Sequence, residues 1–298
     1  QIRILMVVSF HPLLVADCNL LCAGRDPGER ERRAVQRADA VLLPQGCRQR
    51  LYEMVREHCA NVFPNYDARF QFPGKIGQTR LFESHGTRLP RTVAFENLAA
   101  LRRAAPDLDF QKCFRLPFVF KFDWGGEGRM VYRVDGAAQF QSLIALATEF
   151  EKTGQHGFLL QEHVACRGRS LRVAIIGHQA LAYWRIQPAA DKFSTNLAQG
   201  AVIDKTAAPD LRQAGIDAVK AFCCRSGVNL AGIDLLFPAG AAPATPLFLE
   251  INYYFGRSGL GGSEAYYTLL ENAVSRWLHD LGLHPGPCDR QQKEDAPQ

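Results

Sequence analysis

Two apolar stretches of the chain carry polar groups where hydrophobic residues are expected. In "AGIDLLFP" the interruption is Asp234, and in "PLFLEIN" it is Glu250 and Asn252. Side chains two apart along a strand share a face. Glu250 and Asn252 therefore point together, away from Leu249 and Ile251. If the two stretches pair as an antiparallel hairpin, Asp234 comes beside Glu250. Two carboxylates and an amide on one face are oxygen donors for a hard divalent cation, and magnesium with a nucleotide phosphate is the common case. The competing reading makes the acids structural, satisfied by backbone or by an arginine. Burying all three with no cation is costly, which favours the metal.

A second group lies in "FVFKFDWGGEGRMV". Lys121 sits inside an apolar strand, and Gly125, Gly126, Glu127 and Gly128 follow it. A lysine beside a glycine turn can offer a charge and backbone N–H groups to phosphate oxygens. The same pattern also fits an ordinary glycine hairpin with an edge lysine. In "FLLQEHV", Gln161 and Glu162 end an apolar strand and could meet an adenine edge, or could simply be a polar strand terminus. Arg172 and Arg185 interrupt the two arms of a further hairpin, with Asn196 beyond it and Arg257 in the glycine-bearing loop after Asn252. Arginines facing one interior suit a phosphate or a carboxylate.

The elements that must position these groups can be read from periodicity. "IRILMVVSF" is a continuous apolar run suited to a buried parallel strand. A helix and the strand Ala40 to Leu43 follow, then the helix "CRQRLYEMVREHC" and the short strand "NVFP". This alternation predicts an open parallel sheet. From Gly74 the pattern changes to a helix ending near Gly86, a strand–glycine loop–strand unit, and the helix "AAQFQSLIALATEFEKTG". A strand, a hairpin turning near Gly177 and His178, a long helix, two strands and a closing helix complete the chain. Neither G-x-G-x-x-G after the first strand nor G-x-x-x-x-G-K-[ST] is present, so those phosphate-binding devices are excluded.

Taken in order, the lysine strand with its glycine loop, Q-E-H-V, the arginine hairpin, N-L, G-I-D and L-E-I-N resemble the ATP-grasp superfamily. The likeness is greatest to its RimK-like branch of ATP-dependent glutamate ligases and covers roughly residues 74 to 280. The resemblance implies an α/β (α+β) ATP-grasp fold. Residues 1–73 would form an N-terminal open parallel-sheet domain, and 74–156 a central subdomain with a glycine-rich lid. Residues 157–284 would form a C-terminal subdomain with the metal site, and 285–298 a flexible tail. It also implies ATP and Mg2+ (or Mn2+) as cofactors. Lys75 and Lys121 would contact phosphates, with Gly125 to Gly128 closing over them. Gln161, Glu162, His163 and Val164 would hold adenine, and Ser170 and Arg172 would lie along the nucleotide. Asp234, Glu250 and Asn252 would ligate the metal, and Arg185, Asn196 and Arg257 would act near the transferred phosphate. Two positions depart from the family. Ser170 stands where an acid usually meets ribose, and Tyr253-Tyr254-Phe255-Gly256 replaces a Ser-Pro-Gly loop beside the acceptor carboxylate.

The activity implied is ADP-forming carboxylate–amine ligation through an acyl phosphate, on an amino acid, peptide or protein terminus. A kinase on the same fold would use the same residues, whereas a nucleotide-binding module without turnover is expected to lack metal ligands, and Asp234, Glu250 and Asn252 are all present. A net charge of +5 suits anionic small substrates, whereas no basic–aromatic surface calls for nucleic acid. The nine cysteines have no C-x-x-C or zinc spacing and read as free thiols of a reducing compartment. No apolar run approaches the roughly 20 residues of a membrane span, so a soluble cytoplasmic protein is expected. A homo-oligomer is left open.

Overall fold

The computed structural model describes residues 5–104, 114–125, 130–189, 192–240 and 245–283. The first strands are β1 (Val7–Ser9), β2 (Cys18–Asn19), β3 (Ala40–Leu42) and β4 (Val62–Phe63), with helices α1 (Glu29–Gln36) and α2 (Gln49–His58) as crossovers. All the pairings are parallel and the spatial order is β2-β1-β3-β4. Val7, Val8, Val41 and Leu42 are buried whichever way they point, as a sheet covered on both faces requires. The two residues of β2 are too short a run to carry a periodic signal.

Four helices and four strands follow among the described residues: α3 (Asp67–Gln71), α4 (Gly74–Ser84), β5 (Thr92–Phe95), α5 (Leu98–Ala104), β6 (Phe118–Phe122), β7 (Val131–Val134), then α6 (Ala137–Lys152) and β8 (Phe158–Glu162). The strands form an antiparallel sheet in the order β5-β8-β6-β7. Its core is its own. Phe95, Phe118, Phe120, Phe122 and Phe158 pack with Leu143 and Ala147, which lie four apart on one stripe of α6. Phe120 stacks on Phe158 at 4.9 Å.

The third sheet contains β9 (Arg169–Ile176), β10 (Gln179–Ile186), β11 (Val202–Asp204), β12 (Leu230–Leu236) and β13 (Leu247–Asn252). It is antiparallel in the order β11-β10-β9-β12-β13 and is flanked by α7 (Pro209–Ser226) and α8 (Ser263–Asp280). One face, with Leu171, Val173, Ala231, Ile233 and Leu235, shares a core with Val219 and Phe222 of α7 and with Val8 and Val41 of the first sheet. The other face is divided. At one end Ala174, Ile176, Tyr183 and Leu230 are covered by Tyr266, Leu270 and Ala273 of α8. At the other end the same rows continue into Ser170, Arg172, Arg185, Asp234, Glu250 and Asn252. Among the described residues, no helix is long and apolar enough to cross a membrane.

Helix α4 is clipped to this third sheet. Gln78 Nε2 donates to the Ile251 carbonyl and the Ile251 N–H donates to Gln78 Oε1, each at 2.9 Å. The helix also folds back on the segment before it. A Cβ on Gly77 would lie 2.7 Å from the Phe72 carbonyl oxygen and 2.9 Å from its Cα. Replacing a mid-helix glycine by alanine normally gains up to about 1 kcal/mol, but here the neighbour is backbone and cannot rotate away. Gly77→Ala should therefore destabilise the protein by about 1–3 kcal/mol in urea unfolding. A gain in stability would show that this close approach is not present.

Candidate functional site

Strand register assembles the polar end. Asp234 pairs with Arg172 on β9 and with Glu250 on β13, and Gly232 pairs with Ala174 and Asn252. Arg185 lies opposite Ser170 on the next strand. Along β13 the pairing passes from Phe248 directly to Glu250, so Leu249 is an extra residue. This bulge lets Phe248 and Ile251 both enter the apolar core although they are three residues apart. The same shift turns Glu250 and Asn252 to the opposite face. Gly232 completes the geometry, because a Cβ there would come within 2.9 Å of Arg172 Cδ and Nη1.

Asp234 is the centre of this face and is only 3% exposed, so its charge must be met by protein groups. Arg172 donates from Nε to Oδ1 and from Nη2 to Oδ2, the second at 2.9 Å. Arg185 Nη2 approaches Oδ2 at 2.7 Å, and Asn252 Nδ2 reaches it at 3.4 Å. Burial by itself would raise the Asp234 pKa. The two guanidinium groups outweigh it and hold the carboxyl below its usual range. Arg185 Nε is buried with no partner, so that guanidinium retains an unused donor.

Two lysines face the acids. Lys121 on β6 is buried, and burial pulls its pKa from the ordinary lysine value down to about 8, with Glu250 opposing the fall and Lys75 adding to it. Lys75, in the first turn of α4, is also lowered by burial, against the attraction of Glu250 and Asp123. Its Nζ donates to the carbonyls of Trp124 and Gly125, both at 3.0 Å. Glu250 thus lies in the field of both lysines yet has no ion pair or side-chain hydrogen bond among the described residues.

Asp123 was not anticipated, although it follows Lys121 directly in "FKFDW". Its Oδ1 accepts the Ile76 N–H at 2.7 Å and its backbone carbonyl accepts from the Lys75 N–H at 3.4 Å. The residue fixes the start of α4 against β6 and so brings the two lysines together.

The remaining expected residues are more dispersed. Gln161 is buried and donates to Thr92 Oγ1 at 2.9 Å. Glu162 is exposed at the end of β8, and its carboxylate accepts the Arg91 N–H at 3.3 Å. His163 and Val164 continue from it, and burial lowers the His163 pKa. Ser170 is fully buried. Its Oγ shares a 2.7 Å hydrogen bond with Thr195 and accepts from Arg185 at 3.2 Å. With Gln187, which donates to the carbonyls of Ser194 and Gln199, it holds the segment that carries Asn196. Asn196 Oδ1 accepts the Ala198 N–H at 3.0 Å. Arg257 lies apart from the arginine–aspartate group, stacked on Tyr266 and Tyr267. Gly126, Glu127 and Gly128 lie outside the described residues, as do Cys113, Cys288 and residues 285–298. The cysteines that are described are free thiols.

For a metal, the set to test is Asp234, Glu250 and Asn252. Among the described residues, no group of three or more His, Cys, Asp or Glu is placed to hold one. The two carboxylates and the amide are nevertheless hard oxygen donors, and Glu250 is uncompensated. The set fits a magnesium-like cation, provided Asp234 gives up part of its arginine contact.

The three-sheet arrangement is shared with ATP-grasp proteins of known structure. An N5-carboxyaminoimidazole ribonucleotide synthetase solved with ADP matches with a TM-score of 0.59 at 13% identity, over 90% of this chain and 68% of that one. An ATP-grasp RimK domain protein from Sphaerobacter thermophilus gives 0.56 at 13%, over 90% and 98%. At these identities the likeness establishes the fold. A family model described as the RimK-like ATP-grasp domain matches residues 80–268, well over half of the chain, and the chain belongs to that family. A probable alpha-L-glutamate ligase from Picosynechococcus sp. is 33% identical over 104 residues, which span 34% of this chain and 32% of that protein.

Removing the charge of Asp234 would leave two buried guanidinium groups with half a partner. Asp234→Asn should cost about 3–5 kcal/mol in urea unfolding. The exposed pair Arg133–Asp135 is the control, and Asp135→Asn should cost at most about 1 kcal/mol. Equal effects would contradict the central role of Asp234.

Proposed function

We propose that the protein is an ADP-forming carboxylate–amine ligase that uses magnesium and ATP. The observation that carries the proposal is the convergence of Lys75 and Lys121 on the uncompensated Glu250 beside Asp234. Two cations with no acid in contact among the described residues, facing two carboxylates and an amide, are complementary to a polyphosphate carrying a divalent cation. Family membership supports the same reading, as does ADP in one of the proteins that share the fold.

In this reading Lys75 and Lys121 neutralise phosphate charge. The free Nε of Arg185 is available to the oxygens of the transferred group as charge develops on them. Glu250, Asn252 and Asp234 would hold magnesium, which supplies charge neutralisation between the phosphates. A substrate carboxylate oxygen attacks the γ-phosphorus and the bond to the β–γ bridging oxygen breaks. ADP leaves and an acyl phosphate remains. The nitrogen of a neutral amine then attacks the acyl carbon. The carbon–oxygen bond to phosphate breaks, inorganic phosphate leaves, one amine proton passes to water, and an amide is formed. Neither step needs a nucleophilic side chain. The β5–β8 sheet, with its separate core, is able to close over the reactants and keep water from the acyl phosphate.

Two measurements test this. In titration calorimetry, Glu250→Ala should weaken magnesium-dependent ATP binding by about tenfold or more. No binding by the wild-type protein would remove the proposal. The second concerns protons. Free Lys121 titrates near 8, and a bound phosphate raises that pKa by favouring the charged form. Nucleotide binding should therefore take up protons at pH 8.5–9, about half a proton or more per site, and almost none near pH 6.5, where the lysine is already charged. Calorimetry in buffers of different ionisation enthalpy reads this uptake, and Lys121→Met should abolish most of it.

A further inference from the structure

Helix α4 carries Lys75 in its first turn, yet the residue that precedes the helix does not cap it. The N-cap is Pro73, whose side chain has no acceptor and makes no cap hydrogen bond. The first N–H groups of a helix have no partner within it and must find one elsewhere. Asp123, just past the end of β6, supplies two acceptors. Its Oδ1 accepts the N–H of Ile76, the third helical residue, at 2.7 Å, and its backbone carbonyl accepts the Lys75 N–H at 3.4 Å. The third N–H is one that an N-cap side chain ordinarily serves. The carboxylate thus does the work of an N-cap, but it comes from another sheet.

The backbone is shaped to admit that carboxylate. Gly74 has a φ of +70°, and a Cβ there would lie 2.7 Å from Asp123 Cγ, in the space the carboxylate fills. Asp123 is itself fixed, because its N–H donates to the Gly157 carbonyl at 3.1 Å. Lys121 stands two residues before it, so one short stretch of chain sets both the β6 lysine and the cap of α4. The contact is returned from the helix: Lys75 Nζ donates to the carbonyls of Trp124 and Gly125, both at 3.0 Å. An ammonium has three donors, and these two bonds leave one for a further acceptor. One turn along α4, Gln78 is bonded to Ile251, the residue between Glu250 and Asn252. The helix therefore spans from the lysine strand to the acids, and Asp123 is its fastening at the lysine end. The attraction of Asp123 also favours the charged form of Lys75 against the burial that lowers its pKa.

We propose that Asp123 is a positioning residue for nucleotide phosphate: by capping α4 from the neighbouring sheet it holds the Lys75 ammonium where one N–H remains free for a phosphate oxygen. This rests on the ligase reading above. Without the carboxylate the Ile76 N–H loses its acceptor and the first turn of α4 is no longer fixed against β6. Lys75 is the phosphate-binding residue of that turn, while Gln78 keeps the next turn on β13. The effect of Asp123 on phosphate binding must then pass through the Lys75 ammonium and vanish when that ammonium is absent. A carboxylate that only stabilised the fold would act the same whether or not Lys75 is present.

The test is a double-mutant cycle on the full chain, with binding of ATP and magnesium read by titration calorimetry and folding by urea unfolding. Asp123→Ala and Lys75→Met should each weaken binding by about tenfold. The double variant should bind within about twofold of Lys75→Met alone. Asp123→Asn keeps an oxygen acceptor for the Ile76 N–H and should stay within about threefold of the wild-type protein. If Asp123→Ala does not fold, Gly74→Ala takes its place, because its methyl group displaces the carboxylate; its effect on binding should likewise vanish in combination with Lys75→Met. The proposal is overturned if the variant that folds binds ATP as the wild-type protein does, or if its effect is equal with and without Lys75→Met. It is also overturned if Asp123→Asn binds no better than Asp123→Ala. Absence of ATP binding by the wild-type protein overturns the ligase reading and this role with it, whereas wild-type binding with additive effects in the cycle overturns this role alone.

Discussion

The buried ion group of Arg172, Asp234 and Arg185 sets the terms for the rest of the structure. A carboxylate and a guanidinium this far from water are tolerable only with close, directional partners. Their strands must therefore keep one register: Arg172 opposite Asp234, and Arg185 opposite Ser170. A slip of one residue would turn every charge into the apolar core. The hydrophobic face of β9 and β12, packed on α7, enforces the same register from the other side.

That constraint explains how one sheet face serves two purposes. Toward Ile176 it is apolar and sealed by α8. Toward Ser170 it is charged and faces β6. Asp234 is saturated by arginines whereas Glu250 is not, so the two acids are chemically unequal although they are cross-strand neighbours. Glu250 is the one whose charge remains available to Lys75 and Lys121. Asp234 holds the arginines in place and leaves Arg185 Nε free.

The hydrophobic cores divide the architecture in two. The first and third sheets share a continuous core. The β5–β8 sheet has its own phenylalanine core. It is tied to α4 near the charged face through Asp123 and through the Lys75 contacts with Trp124 and Gly125.

The sequence by itself determined the elements with strong periodicity and the groups that violate it. Apolar strands interrupted by Lys121, Arg172, Arg185, Asp234, Glu250 and Asn252 mark the site because burial of such groups is too costly to be accidental. The order of those motifs was enough to identify the fold. Short elements such as β2, β5 and β11 were not legible, unlike the equally short β3 and β4, which the strand–helix alternation around them marked; they are stabilised only by a neighbouring strand. Only the tertiary structure decided which acid is neutralised by arginine, because that depends on the register of β9 against β12. Only it showed Asp123 joining the two lysines, and the bulge at Leu249 that turns Glu250 and Asn252 outward while Phe248 stays in the core.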